Sequence, residues 1–124
     1  MHMILTFDFS SDVPLYLQLR NQIVIGIAEG KLAPGEKLPT IRALADESGI
    51  NMMTVSKAYQ ILKQEGYIVT DRRKGAVVAG APASRISEET LRELRLKISE
   101  LRLAGMKKEE ILAMIEKIYA EGNK

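Results

Sequence analysis

The chain has 124 residues, with 18 basic and 16 acidic side chains for a net charge of +2; 46% of it is hydrophobic and 27% charged. That profile is an ordinary globular one and excludes a disordered tail or a collagen-like repeat, while the absence of cysteine and the single histidine, His2, exclude disulfides, thiol catalysis and zinc fingers. No apolar run approaches the ~20 residues of a membrane span and the start lacks a secretory pattern, so a cytoplasmic protein is expected, with no metal, no cofactor, no membrane contact and no enzymatic activity.

Taken in chain order, the periodicity first predicts a helix over 14–29. Leu15, Leu19, Ile23 and Ile27 recur every fourth residue on one face, Pro14 suits a first turn, and Gly30 supplies the stop. Ala33-Pro34-Gly35 reads as a turn. Thr40 can cap a short helix over 41–48, which Gly49 ends. Asn51 can then cap a further helix reaching Glu65 and stopped by Gly66, whose buried face would be Val55, Ala58, Tyr59 and Leu62. Two helices joined by so short a glycine turn form a helix-turn-helix. Residues 67–70 and 76–79 are runs rich in β-branched side chains, separated by Asp71-Arg72-Arg73-Lys74-Gly75. They predict a β-hairpin with three adjacent cations at its tip, placed as a wing behind the helix-turn-helix.

Small residues and proline at Gly80-Ala81-Pro82-Ala83-Ser84 mark a linker. The expected organisation is a winged domain over 1–80, a linker over 81–86 and a two-helix region over 87–124. Ser87 can cap the first of these helices, with Glu88 and Glu89 in the turn where the helix dipole favours anions. Leu91, Leu94, Ile98 and Leu101 form its apolar stripe, and Gly105 ends it. The second helix, over 107–120, carries Ile111, Met114, Ile115 and Ile118 on one face. So short a pair of helices cannot bury both stripes by itself, and a second copy of the chain is the expected cover.

The outer face of the helix behind Asn51 carries Met53, Ser56, Lys57, Gln60 and Gln64. An α-helix fits the DNA major groove, and the first residues of a recognition helix reach base edges. Asn51 and Thr54 stand where backbone N–H groups favour a phosphate. Arg42 is placed to touch the DNA backbone, and Lys57 a phosphate or a guanine. Arg72, Arg73 and Lys74 can enter the minor groove or grip phosphate, and their spacing leaves both open. Each feature alone has a plainer reading. Arg42 could pair with Asp46 one turn later, the wing tip could be merely solvated, and Met52 and Met53 could belong partly to the core. Their joint occurrence points to a DNA-binding protein; the rival is a winged-helix adaptor that binds protein and not DNA.

Residues 13–79 resemble the winged-helix domain of the GntR family of bacterial transcriptional regulators. The resemblance is carried by Pro14-Leu15-Tyr16 with Gln18, by the run from Gly30 through Pro39, and by Arg42-Ala43-Leu44-Ala45. It continues in Gly49-Ile50-Asn51, Thr54-Val55, Lys57-Ala58-Tyr59, Leu62, Glu65-Gly66-Tyr67-Ile68 and the wing glycine, Gly75. The Lys57-Ala58-Tyr59 segment and the 39 residues after Arg85 look like the short YtrA subfamily, which lacks a large ligand-binding domain. The resemblance implies a mainly α fold with a small β-hairpin wing, ending in two helices that dimerise. It implies a homodimeric repressor of a pseudo-palindromic operator, with DNA contacts from Arg42, Asn51, Met52, Met53, Thr54, Lys57 and the wing around Gly75; Ser56 joins them from its place on the helix. Met52 and Met53 depart from the polar residues of many relatives, and methionine can instead touch a thymine methyl. A small-molecule effector of unknown identity is compatible with this architecture.

Overall fold

Side-chain caps and glycines set the boundaries of the helices in the computed structural model, which describes residues 3–80 and 86–122. His2 and the linker positions 81–85 lie outside the described residues. The elements are α1 (Leu15–Ala28), α2 (Ile41–Ser48), α3 (Met52–Gln64), β1 (Ile68–Asp71), β2 (Gly75–Val78), α4 (Glu88–Leu103) and α5 (Lys108–Gly122). Thr40 Oγ1 accepts from Ala43 N at 3.1 Å, Asn51 Oδ1 from Thr54 N at 2.8 Å and Ser87 Oγ from Thr90 N at 3.1 Å. Each satisfies a donor that helix geometry leaves unpaired. Gly49, at φ +76°, turns the chain through the left-handed region that a β-carbon disfavours, so only three residues separate α2 from α3.

Several expected ends move by one or two residues. Pro14 is the N-cap of α1, its ψ of 147° lying outside the helix, while Glu29 and Glu65 are the C-caps of α1 and α3. The hairpin strands each shift by one. Tyr67 falls outside β1, and Asp71 and Gly75 join the ladder as its last pair, in the register Ile68–Val78, Val69–Val77, Thr70–Ala76 and Asp71–Gly75. α5 starts at Lys108 and runs on to Gly122.

The loop between α1 and α2 does more than turn. Beyond Ala33-Pro34-Gly35 the chain extends along β2: Gly35 N donates to Val78 O at 2.9 Å, Val78 N to Glu36 O at 2.9 Å and Leu38 N to Ala76 O at 2.8 Å. The hairpin thereby gains a third short edge. A second unforeseen edge is the N-terminal strip, where Met3, Leu5 and Phe7 pack on the core. Side-chain amides of α1 hold it. Gln22 Nε2 donates to Thr6 O and its Oε1 accepts from Thr6 N, while Gln18 pairs in the same way with the backbone of Asp8.

The chain divides into two compact units, Met1–Pro82 and Ala83–Lys124. In the first, Leu19 and Ile23 of α1, Leu32, Leu38, Leu44 of α2, Val55 and Leu62 of α3, and Ile68 and Val78 of the hairpin are sealed from solvent. Arg20 adds a two-pronged ion pair from α1 to Glu65 at 2.8 and 2.9 Å, with its guanidinium 5.6 Å from the Tyr67 ring centre. In the second unit, α4 buries none of its side chains and α5 only Ile111.

Candidate nucleic-acid interface

Helix α3 divides cleanly into two faces. Val55, Ala58, Tyr59 and Leu62 turn inward, whereas Asn51, Met53, Ser56, Lys57, Gln60 and Gln64 face solvent. The first turn of the helix is open: Met53 is 82% exposed and Met52 48%, so neither belongs to the core. Asn51 spends its carboxamide oxygen on the cap and is itself exposed, while Thr54 is half-buried. Lys57 does not simply extend into solvent. Its Nζ lies 4.0 Å from the centre of the Tyr16 ring on α1, a cation–π distance that folds the lysine back across the helix pair.

Arg42 sits exposed in the first turn of α2. The alternative pairing with Asp46 is not made: among the described residues no carboxylate lies within ion-pair distance of Arg42. The start of α2 is anchored from α3. The buried Tyr59 hydroxyl donates to Pro39 O at 2.7 Å, and burial, followed by the negative charge of Glu47, pushes its phenol well above the usual value. Neutral Tyr59 therefore fixes the residues that lead into Thr40 and Arg42.

The wing tip exposes Arg72, Arg73, Lys74 and Gly75. Its turn is organised by Asp71, whose Oδ1 accepts from Arg73 N at 2.7 Å and Lys74 N at 3.0 Å. These two hydrogen bonds hold the Asp71 carboxyl below the ordinary carboxylate range, with a lesser contribution from the Lys74 charge. Gly75, at φ +86°, completes the reversal. Three cations thus crown a turn whose Arg73 and Lys74 amides are already satisfied.

Thr40, Lys74 and Gly75 line one cleft together with Lys37 and Lys63. The last two carry no recognisable pattern in the sequence, since each is a lone lysine on a different element. Tyr16 was legible only as part of the family resemblance, not as the partner of Lys57. In the second unit, Leu91, Leu94, Ile115 and Ile118 remain exposed, Ile98, Leu101 and Met114 are partly covered, and Ile111 turns inward. Among the described residues no helix is long and apolar enough to cross a membrane.

Comparison with known proteins places this architecture. The sequence signature of the bacterial regulatory proteins of the gntR family matches residues 15–78, from α1 through β2. The HTH-type transcriptional repressor YtrA of Bacillus subtilis (strain 168) is 31% identical over 118 residues, which are 92% of this chain and 91% of that protein. A crystal structure from Listeria monocytogenes EGD-e, described as a transcriptional antiterminator, superposes with a TM-score of 0.81 at 31% identity, covering 100% of this chain and 96% of the other. The DNA-binding domain of AraR in complex with operator ORX1 superposes with a TM-score of 0.55 at 28% identity, over 64% of this chain and 99% of that domain. With an exposed recognition-type helix, a cationic wing and this match across its first unit, the chain belongs to the gntR family of bacterial regulatory proteins and is a DNA-binding transcription regulator of the winged helix-turn-helix type.

Proposed function

We propose that the protein acts in the cytoplasm as a homodimeric repressor, each protomer inserting α3 into the major groove of one half of a pseudo-palindromic operator. The observation that carries this reading is the division of α3: one face completes the core, and the other, with its capped N-terminus, is free to enter a groove. Asn51, Met52, Met53, Thr54, Ser56 and Lys57 meet bases and phosphates, Arg42 holds the DNA backbone, and Arg72, Arg73, Lys74 and Gly75 reach the neighbouring strand. Half-sites then fall about one helical turn, ~34 Å, apart. The net charge of only +2 gives a weak overall field, so affinity depends on these local cations. The repressor role is supported by the likeness to YtrA of Bacillus subtilis, and dimerisation by the uncovered stripes of α4 and α5.

The test is binding to an operator selected from a random-sequence duplex pool, beside an unselected duplex, across a salt series. Wild type is expected to bind both in a salt-sensitive way and to protect two symmetric half-sites in a footprint. Arg42→Ala should weaken binding to both duplexes and lower the salt slope by about one, the mark of a lost phosphate contact. Equal affinity of wild type and variant for both duplexes would remove Arg42 from the interface. No salt-sensitive duplex binding by wild type would favour the adaptor reading instead.

A further inference from the structure

A cleft of about 260 Å³ opens between the start of α2, the second half of α3 and the wing. Lysines from three separate segments line it: Lys37 from the extended loop along β2, Lys63 from the last turn of α3 and Lys74 from the wing tip. All three are exposed, and among the described residues none has a carboxylate within ion-pair distance. No acidic residue lines the cleft. Asp71, which acts on Lys74 through its charge, has its Oδ1 turned to the amides of the wing turn.

Neutral donors complete the set. Thr40 and Thr70 line the same walls. Thr40 accepts from Ala43 N through its oxygen and keeps its own proton to donate. Thr40 and Ile41, at the N-terminal end of α2, border the cleft, and the first N–H groups of a helix have no intrahelical acceptors. At ~30 Å³ for each water, the cleft holds a phosphate group with its closest waters.

We propose that this cleft is a phosphate seat, filled by one backbone phosphate of bound DNA between the strand held by Arg42 and the strand met by the wing tip. It rests on the reading of the first unit as the DNA-binding one, and it adds Lys37, Lys63, Thr40 and Thr70 to the residues that touch DNA. The chemistry recognised is a phosphate oxygen. The alternative source of such an oxygen is a free phosphorylated small molecule, which would then compete with DNA for the cleft.

The experiment uses the full chain with the selected operator and an unselected duplex side by side, because a phosphate contact is indifferent to sequence. Lys37→Gln and Lys63→Gln, singly and together, are compared with Lys117→Gln on α5 as a charge-matched control. The slope of log affinity against log salt is expected to fall by up to about 0.9 in the double variant, the share of the one seated phosphate, with the selected operator and the unselected duplex losing affinity by the same factor. Lys117→Gln should leave the slope where it was. Pyrophosphate, added at constant ionic strength, is followed in parallel through the amide resonances of Thr40, Ile41 and Thr70. An unchanged slope in the double variant, while wild type still binds the duplex, overturns the seat and leaves the regulator reading intact. Should saturable pyrophosphate shifts accompany that unchanged slope, the cleft belongs to a free phosphorylated ligand and DNA is overturned as its source. Wild type failing to bind any duplex would overturn the regulator reading and the DNA seat together.

Discussion

Asn51 serves folding through its cap and, in the proposed function, DNA recognition as well. Its oxygen caps α3 at 2.8 Å from Thr54 N, so Asn51→Ala should cost about 1 kcal/mol and lower the melting temperature by about 4–8 °C, the range for a small domain. A thermal melt without DNA reads this loss apart from any binding defect; a variant melting with wild type would mean that the cap contributes nothing. Tyr59 gives a pH signature of definite sign. Because its phenol is raised above the usual value by burial, the folded state holds the proton more tightly than the unfolded chain does. Stability is therefore complete below about pH 10 and declines as the pH rises beyond it. Tyr59→Phe should lose about 1 kcal/mol at neutral pH with its hydrogen bond to Pro39, and should flatten that alkaline decline. Melts from pH 9 to 11, taken as a wild type–variant difference, test it; parallel curves would remove Tyr59 as the cause. Caps such as Asn51 are readable from residue type because the bond closes within three residues. The contact of Lys57 with Tyr16 was hidden, since nothing local records which helix lies beside which.

Among the elements, the three helices of the winged unit declared themselves through period and punctuation, and their errors are confined to the ends. The strands were placed within one residue because Asp71 and Gly75, read as turn formers, also close the ladder. What the sequence pattern did not reveal are the two extended edges. Residues 35–38 and the N-terminal strip are too short to show a period, and their hydrogen bonds run to β2 and to the glutamines of α1. Leu38 measures how much the first of these matters. It is 1% exposed, and its N–H holds the loop to Ala76. Leu38→Ala should cost about 2–5 kcal/mol, as buried leucine truncations do, appearing as a lower denaturation midpoint at constant slope. Amide exchange at Gly35 and Val78 should accelerate with it. A midpoint within error of wild type would show that the loop is held without this side chain.

At the scale of the whole molecule, the two units differ in kind. The first closes its own core. The second leaves Leu94 52% and Ile118 59% exposed, surface that remains in water unless another surface covers it. If the proposed dimer forms through this surface, Leu94→Glu together with Ile98→Glu should give monomers by light scattering, and should weaken the selected operator far more than an unselected duplex, because two half-sites would no longer be bound through one assembly. A dimer surviving the double substitution would place the interface elsewhere.

The sequence by itself determined the order and type of the helices, the wing and its cations, and the outward and inward faces of α3. All of these follow from local forces: capping, glycine's conformational freedom, and apolar residues recurring at the helical period. Only the tertiary structure decided that Lys37, Lys63 and Lys74 share one cleft, that Tyr59 anchors the approach to Arg42, and that Tyr16 holds Lys57. Those juxtapositions are made by packing between distant segments. A residue's neighbours along the chain carry no record of which segments the burial of a common core will bring against it.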